Sequence, residues 1–334
     1  MRPRKIKAVA LVSSGLDSLL SAVLINRLGI EVIGLHCFFR FDPHSDEKRI
    51  PSLHRLFEPY GIPITVKDTT DDFLKMFLNP AHGYGSEMNP CIDCRLLTLG
   101  YGKAFMEEIG AKFVITGEVV GQRPMTQNKP TLFHIDKVSG LKGLILRPLS
   151  ATILPSTIPE EEGWVDRKEL YGFSGRSRRP QIELASRLGI EDYNQPAGGC
   201  LLTDPEWGRR TKMLMKNRDA NEISVNSIRL LRLGRHFWPN DHLWVIVGRN
   251  EKDNMMLESF ADGRWLFEPD QIKGPTAIAE NVMDETDREV VSGIVARYCS
   301  KCQDDEVSIH YKGTEEGVCS VKKMAKAKLE KWRV

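Results

Sequence analysis

Along the first third of the chain, short wholly apolar runs alternate with segments whose apolar residues fall at helical spacing. Lys5 to Val12 is a continuous apolar run of the kind buried on both faces of a parallel sheet. Leu16 to Leu28 repeats apolar residues every three or four positions, and Gly29 ends it. Glu31 to Phe38 reads as a second strand, Asp46 to Tyr60 as a helix stopped by Gly61, and Ile64 to Val66 as a third strand. Thr70 to Leu78 reads as a helix. A further helical stretch, opened at Cys91 and running from Cys94 to Ile109, leads into a fourth strand, Lys112 to Thr116. Strands that alternate with helices predict an α/β fold with a doubly wound parallel sheet. Phe133 to Ile158 is irregular, punctuated by Pro148 and Pro155, and Glu160 to Leu188 is helical in part. From about Lys216 the pattern changes. Ser227 to Leu233, Leu243 to Val247 and Trp265 to Phe267 are short apolar runs between turn signals, which predict a small α+β domain. The lysine-rich end, Val321 to Val334, reads as a tail that is helical or frayed. The expected boundaries are 1–150, an extension over 151–215, a second domain over 216–315 and a basic tail over 316–334.

Ligands of open α/β sheets bind beyond the carboxyl ends of the strands. The loop at Ser13, the Cys37-Phe38 segment and the Gly117-Glu118 turn are therefore expected to face one crevice. The first of these is the richest in chemistry. Ser13, Ser14 and Gly15 have little side-chain bulk, so backbone N–H groups can close on an anion. The helix that follows aims its N-terminus at that loop, where its dipole favours phosphate. Asp17 does not suit bare phosphate, but a carboxylate beside a polyphosphate makes sense with a divalent metal between them. No Gly-Lys-Ser/Thr follows, so this is not the ordinary P-loop. The plain alternative is a Ser-Gly helix start at a βα turn.

Composition narrows the picture. At 334 residues the chain has room for two or three domains. A formal net charge of +2 gives no global argument for nucleic acid, so an RNA surface has to come from local clusters. Arg176-Ser177-Arg178-Arg179 is one such cluster, either a phosphate-backbone contact or a solvated face. No apolar run approaches the roughly 18 residues that span a membrane. The basic start, Met1 to Lys5, leads straight into a strand without a cleavable apolar region. A cytoplasmic protein with no membrane partner is expected. Seven cysteines, an odd number in a long chain, point to reduced thiols or metal ligation rather than a secreted disulfide framework.

Cys91-Ile92-Asp93-Cys94 follows Asn89-Pro90 and opens a helix, where thiol pKa values fall and thiolates serve as nucleophiles or metal ligands. A third cysteine, Cys200, ends the small-residue run Pro196-Ala197-Gly198-Gly199, which allows a bulky partner to approach. Asp93 suits either proton transfer or a helix cap. Cys37, at the end of the second strand, reads as crevice lining or core. Cys299, Cys302, His310 and Cys319 have a spacing compatible with zinc, but nothing else supports it, and the favoured reading is free thiols in a reducing compartment.

The Ser13-to-Ser18 loop resembles the SGGxDS loop of the PP-loop pyrophosphatases, with Ser14 standing where that pattern has its first Gly and asking more of φ. Three further stretches join it: Asn89-Pro-Cys-Ile-Asp-Cys-Arg95, Ile115 to Gln127, and Pro196 to Thr203. Together, over about residues 5 to 205, they resemble the tRNA 2-thiouridylases and 4-thiouridine synthetases of the PP-loop class. The resemblance implies that residues 1–150 form a PP-loop ATP pyrophosphatase domain. It implies an enzyme in which ATP adenylates a uracil carbonyl oxygen of tRNA and sulfur then displaces AMP. Ser13, Ser14, Gly15, Asp17 and Ser18 would hold ATP phosphates, with Asp17 on Mg²⁺; Cys37, Gly117 and Glu118 would border the nucleotide. Cys91, Cys94 and Cys200 would carry sulfur transfer with Asp93, by a persulfide or, as the surplus third cysteine favours, by a [4Fe-4S] cluster with one open iron. The partners implied are tRNA and a sulfur donor, either sulfide or a cysteine desulfurase. Asn226 to Phe237 and Val245 to Asn254 resemble the RNA-binding domain of NFACT-type proteins. There Arg229, Arg232, Arg235, His236 and Arg249 would bind phosphates, and Phe237 or Trp238 would stack a base. The alternatives are a PP-loop ligase for another substrate and an RNA-binding protein with a degenerate ATP loop.

Overall fold

A computed structural model of the chain describes residues 6–43, 46–193, 199–299 and 305–334. It divides into two units, residues 1–40 with 44–200, and residues 201–334 with Phe41–Pro43.

The first unit contains β1 (Lys7–Leu11), α1 (Leu16–Arg27), β2 (Glu31–Phe38), α2 (Asp46–Phe57), β3 (Ile64–Asp68), α3 (Thr70–Leu78) and α4 (Cys91–Glu108). It continues with β4 (Phe113–Thr116), α5 (Lys129–Val138), β5 (Ile145–Leu146), α6 (Ile158–Glu161) and α7 (Arg179–Arg187). The strands form one parallel sheet in the order β3-β2-β1-β4-β5. This is the expected α/β arrangement. The period of two along β1 explains why it is buried on both faces: Ala8, Ala10 and Val12 pack with α1, α2 and α7, while Val9 and Leu11 pack with α4 and α5. The buried valine and leucine side chains there each contribute about 1.5–3 kcal/mol, the two alanines much less. The chain runs outward from β1 through β2 to β3, then returns to place β4 on the other side of β1. The carboxyl ends of β1 and β4 thus lie at the point where strand order reverses, the place where such sheets bind ligands.

The second unit contains α8 (Pro205–Asn217), α9 (Val225–Leu230), β6 (Arg235–Phe237), β7 (Trp244–Val247), α10 (Glu251–Ser259), β8 (Trp265–Pro269) and β9 (Ala277–Glu280). α11 (Glu285–Arg297), β10 (Glu306–Lys312), β11 (Glu316–Lys322) and α12 (Lys326–Trp332) follow. Its six strands are antiparallel, in the order β11-β10-β8-β9-β7-β6. Phe237, Val245, Val247 and Phe267 form its core with Val291, Ile294 and Val295 of α11.

The basic end is not a frayed tail. β11 pairs with β10 along its whole length, from Glu306 opposite Lys322 to Lys312 opposite Glu316. Beyond α12, the Val334 N–H donates to the His236 carbonyl at 3.1 Å, and the Trp238 N–H donates to the Trp332 carbonyl at 2.9 Å. Gly317, Cys319 and Val321 are half-buried and alternate with exposed Val318 and Ser320. That two-residue period marks a strand, and the nearby lysines mask it. Among the described residues no helix is long and apolar enough to cross a membrane.

Candidate nucleotide and thiol site

After β1 the chain turns through Ser13 and Ser14, and Gly15 enters α1 as its N-cap in an extended conformation (φ −82°, ψ 146°). No side chain caps the helix, so its first-turn N–H groups remain available to an anion. Ser18 closes the loop from inside. Its Oγ accepts from the Ser13 N–H at 3.0 Å and reaches the Ser13 and Gly15 carbonyls, each at 2.9 Å. Neither Ser14 nor Gly15 adopts positive φ. The expected extra demand on φ at Ser14 therefore does not arise, because the loop avoids the left-handed region there.

Gly117, immediately after β4, is pressed against this loop. A Cβ at that position would lie 2.5 Å from the Ser18 nitrogen, 2.6 Å from the Asp17 carbonyl carbon and 2.7 Å from the Ser18 Cα. All three are backbone atoms, so only hydrogen fits. The Ser13 loop and the Gly117 turn meet where the two central strands end.

The Asp17 side chain is largely buried, at 15% exposure. Its Oδ2 accepts from Gln122 Nε2 at 2.8 Å and stands 3.9 Å from an Arg178 guanidinium nitrogen. Its Oδ1 is buried with no hydrogen-bond partner. A carboxylate oxygen left bare beside a helix N-terminus fits a divalent cation shared with phosphates. Gln122 lies within the Ile115-to-Gln127 stretch with no role implied for it, and nothing around Gln181 signals it; Gln181, fully buried, donates to Gln122 Oε1 at 3.1 Å.

The Glu118 carboxylate turns away from the loop into an ion-pair network. Arg95 and Arg147 each approach it at 2.9 Å, Thr116 donates to it at 3.0 Å, and Arg147 also grips Asp136 with two bonds of 2.9 and 2.6 Å. Burial raises the Glu118 pKa, but the two guanidinium groups outweigh it and hold the carboxyl down at about 2. Glu118 thereby fastens the turn after β4 to α4 through Arg95, the residue after Cys94.

Cys91 and Cys94 lie in the first turn of α4, entered through Pro90. Asn89 Nδ2 donates to Cys91 Sγ at 3.2 Å and to Met125 Sδ at 3.1 Å. Cys94 is pushed up to about 12, first by burial and then by the thiols of Cys200 and Cys91, with Arg95 opposing. Burial and the neighbouring thiols thus push Cys94 in the direction opposite to the lowered pKa expected at a helix start. Cys200, far along the chain and exposed, is close enough to act on Cys94, and so is half-buried Cys37. Burial holds Cys37 at about 11, against the pull of Lys67 and Arg95. Three soft thiol donors suit iron–sulfur ligation with one iron left open. That fit rests on donor chemistry, because among the described residues no three His, Cys, Asp or Glu side chains stand in a metal-holding arrangement. Residues 196–198 of the Gly-Gly-Cys loop and Cys302 lie outside the described residues. Cys299 is buried and Cys319 donates to Ser292 at 3.2 Å.

Asp93 binds His82 rather than the N–H groups of its own helix. Its oxygens accept the His82 backbone N–H and ring Nδ1–H, both at 2.9 Å. His82 Nε2 meets His134 Nε2 at 3.0 Å, one of the two ring nitrogens donating.

In the second unit, the residues expected to stack a base are core. Phe237 is fully buried, and Trp238 lies flat on Trp244 with centroids 5.7 Å apart. His236 is buried, donating from Nε2 to the Leu233 carbonyl at 2.8 Å and accepting the Trp244 indole N–H at 3.1 Å. Burial holds its pKa well below the usual histidine value, so it carries no charge for a phosphate. Arg249 pairs with Asp253 at 2.7 Å, Arg235 lies over Tyr298 and Arg229 over Phe260. The arginine-flanked aromatics of β6 point into the core.

Comparison with known proteins adds to this geometry. Residues 4–152 match the family model described as thiamine biosynthesis protein (ThiI), and residues 234–333 match that of the NFACT protein RNA binding domain. The chain resembles tRNA thiolation proteins in its first module and NFACT RNA-binding domains in its last. A probable tRNA sulfurtransferase of Thermococcus kodakarensis is 25% identical over 175 residues, 47% of this chain and 44% of that protein. The tRNA-specific 2-thiouridylase MnmA of Campylobacter jejuni is 29% identical over 115 residues, 33% of this chain and 34% of that one. The chain thus spans less than half the length of these relatives. Among solved structures, the U34-tRNA thiolase NcsA from Methanococcus maripaludis with its [4Fe-4S] cluster aligns with a TM-score of 0.36 at 18% identity, covering 69% of this chain and 74% of that one. A 4-thiouridine synthetase–RNA complex with bound ATP aligns with the same TM-score at 19% identity, covering 55% and 51%.

Proposed function

We propose that the protein is an ATP-dependent tRNA thiolation enzyme acting on a uracil carbonyl. The observation that carries this reading is the βα loop that leaves helix N–H groups and a bare Asp17 oxygen for a metal-bound polyphosphate, in the same unit as Cys91, Cys94 and Cys200.

The first turn of α1 and the Ser13 loop bind the ATP phosphates, and Asp17 would hold Mg²⁺, which would neutralise phosphate charge. The uracil carbonyl oxygen attacks the α-phosphorus, a new O–P bond forms, and the bond to the β-phosphate oxygen breaks with release of pyrophosphate. This turns a poor leaving group into a phosphate ester, and each ~1.4 kcal/mol taken from the next barrier is tenfold in rate. Sulfide then adds to the activated ring carbon, and the C–O bond breaks with departure of AMP. Cys91, Cys94 and Cys200 would hold a [4Fe-4S] cluster, which supplies an open coordination position for sulfide. Gly117 and Glu118 fix the spacing between the ATP loop and the thiol helix, and Cys37 borders the thiols. The Asp93–His82–His134 chain offers a path for protons to reach solvent. The second unit supplies RNA affinity.

Mass spectrometry of tRNA nucleosides from cells with and without the protein tests this reading directly. A thiolated nucleoside lost with the gene and restored by the wild type but not by Cys200→Ala is expected. A nucleoside pool that does not change overturns thiolation, and a thiolated nucleoside restored by Cys200→Ala assigns sulfur transfer to a persulfide on the Cys91–Cys94 pair instead of a three-cysteine cluster.

A further inference from the structure

The segment just before and within the start of α7 lies beyond residues 4–152, the stretch that matches the thiolation family model. It is nevertheless tied to the nucleotide loop at several points. Ser174 bridges Val120, and the Gly175 N–H donates to the Val120 carbonyl at 2.7 Å. A Cβ on Gly121 would lie 3.3 Å from the Gly175 nitrogen. Gln181 reaches Gln122, which reaches Asp17, and Arg178 extends to within 3.9 Å of the same Asp17 oxygen.

These contacts divide the arginine cluster. Arg176 and Arg179 are exposed or nearly so, and Arg179 faces Glu183 on its own helix at 4.0 Å. Arg178 is half-buried and is turned toward the anion loop instead. At 3.9 Å its contact with Asp17 is too long for a hydrogen bond. A guanidinium parked beside a carboxylate without bonding it is placed to bind whatever that carboxylate's metal binds. Its planar fork matches phosphate oxygens. Gln122 occupies Oδ2 of Asp17 and so leaves Oδ1 as the oxygen open to a metal.

We infer that Arg178 binds the β- and γ-phosphates of ATP rather than an RNA backbone, and that Gln122 and Gln181 are positioning residues that fix Asp17 for the metal. The inference deepens the proposed ATP reading and rests on it. In the adenylation step Arg178 neutralises charge that grows on the departing pyrophosphate.

Equilibrium dialysis of the full chain with ATP and with AMP, each at saturating and at zero Mg²⁺, tests the inference without turnover. Wild type is expected to hold ATP more tightly than AMP. Arg178→Gln should weaken ATP about 10–100-fold, the size of a lost charge-assisted contact, and leave AMP unchanged. Arg178→Lys should recover part of the loss. Gln122→Leu and Gln181→Leu should raise the Mg²⁺ concentration needed for tight ATP binding several-fold, again without changing AMP. Filter binding of bulk tRNA without ATP should not respond to Arg178→Gln. If wild type prefers ATP and Arg178→Gln keeps that preference, the inference fails while the ATP site stands. If Arg178→Gln weakens tRNA instead, the arginine belongs to RNA and the inference fails. If wild type does not prefer ATP over AMP, the ATP reading itself falls.

Discussion

Replacing Gly117 by alanine tests how tightly the nucleotide loop is seated. The new methyl would stand 2.5–2.7 Å from three backbone atoms of Asp17 and Ser18, whereas carbon contacts are ordinarily about 3.5–4.0 Å. Something must give by about 1 Å. β4 cannot move, because its four residues are buried between β1 and β5. The displacement therefore falls on the first turn of α1, which carries the phosphate-facing N–H groups and Asp17. Overpacking of this kind costs about 1–3 kcal/mol. In a unit of this size that lowers the melting temperature by roughly 2–4 °C per kcal/mol. A misplacement of about 1 Å at a reacting centre is worth up to about 10²-fold in rate. Thermal melts read the packing, and tRNA-dependent pyrophosphate release reads the site. A Gly117→Ala protein that melts with wild type and releases pyrophosphate at an undiminished rate would refute the close approach.

Gly100, exposed within α4 and with nothing within 4 Å of the place a Cβ would take, provides the contrast: Gly100→Ala should raise stability by roughly 0.5–1 kcal/mol in urea melts. Trp238→Ala should cost about 3–5 kcal/mol in the same assay, as a core truncation does, whereas a base-stacking surface tryptophan would leave stability almost unchanged. Glu118→Gln should cost about 3–5 kcal/mol by leaving Arg95 and Arg147 beside an uncharged partner. Since folding lowers the Glu118 pKa to about 2, its stabilisation is complete above the unfolded value near ~4.3 and is lost as pH falls toward that folded value. Urea melts from near neutrality down into the acid range should show a steep acid limb in wild type and a shallower one in Glu118→Gln; equal limbs would contradict the network.

The parallel sheet was legible because β1 is apolar at nearly every position and strand-length apolar runs alternate with longer helical stretches, although α1 itself is buried on almost every side. The anion loop was legible from three small residues before an acidic one. The Glu118 network was not. Glu118 reads as a crevice residue, while Arg95, Asp136 and Arg147 are scattered over two helices and the segment after a strand, with nothing in the letters to join the four. Gln122 and Gln181 were silent for the same reason, since a neutral amide gains meaning only from what it touches. His236, Phe237 and Trp238 misled because aromatics flanked by arginines match an RNA surface in composition, while direction is set by the register of β6 against β7. The lysines after β10 hid a strand because charge outweighed a two-residue alternation carried by glycine, cysteine and valine.

Thr116, Gly117 and Glu118 each serve a different neighbour: the first ends a strand, the second admits a helix backbone, the third clasps two cations. Losing or gaining a single residue there would put the carboxylate against the phosphate loop and a hydrogen atom between the arginines. The count of residues across this junction is therefore fixed by three separate contacts, and an engineered insertion belongs in an exposed loop elsewhere in the unit.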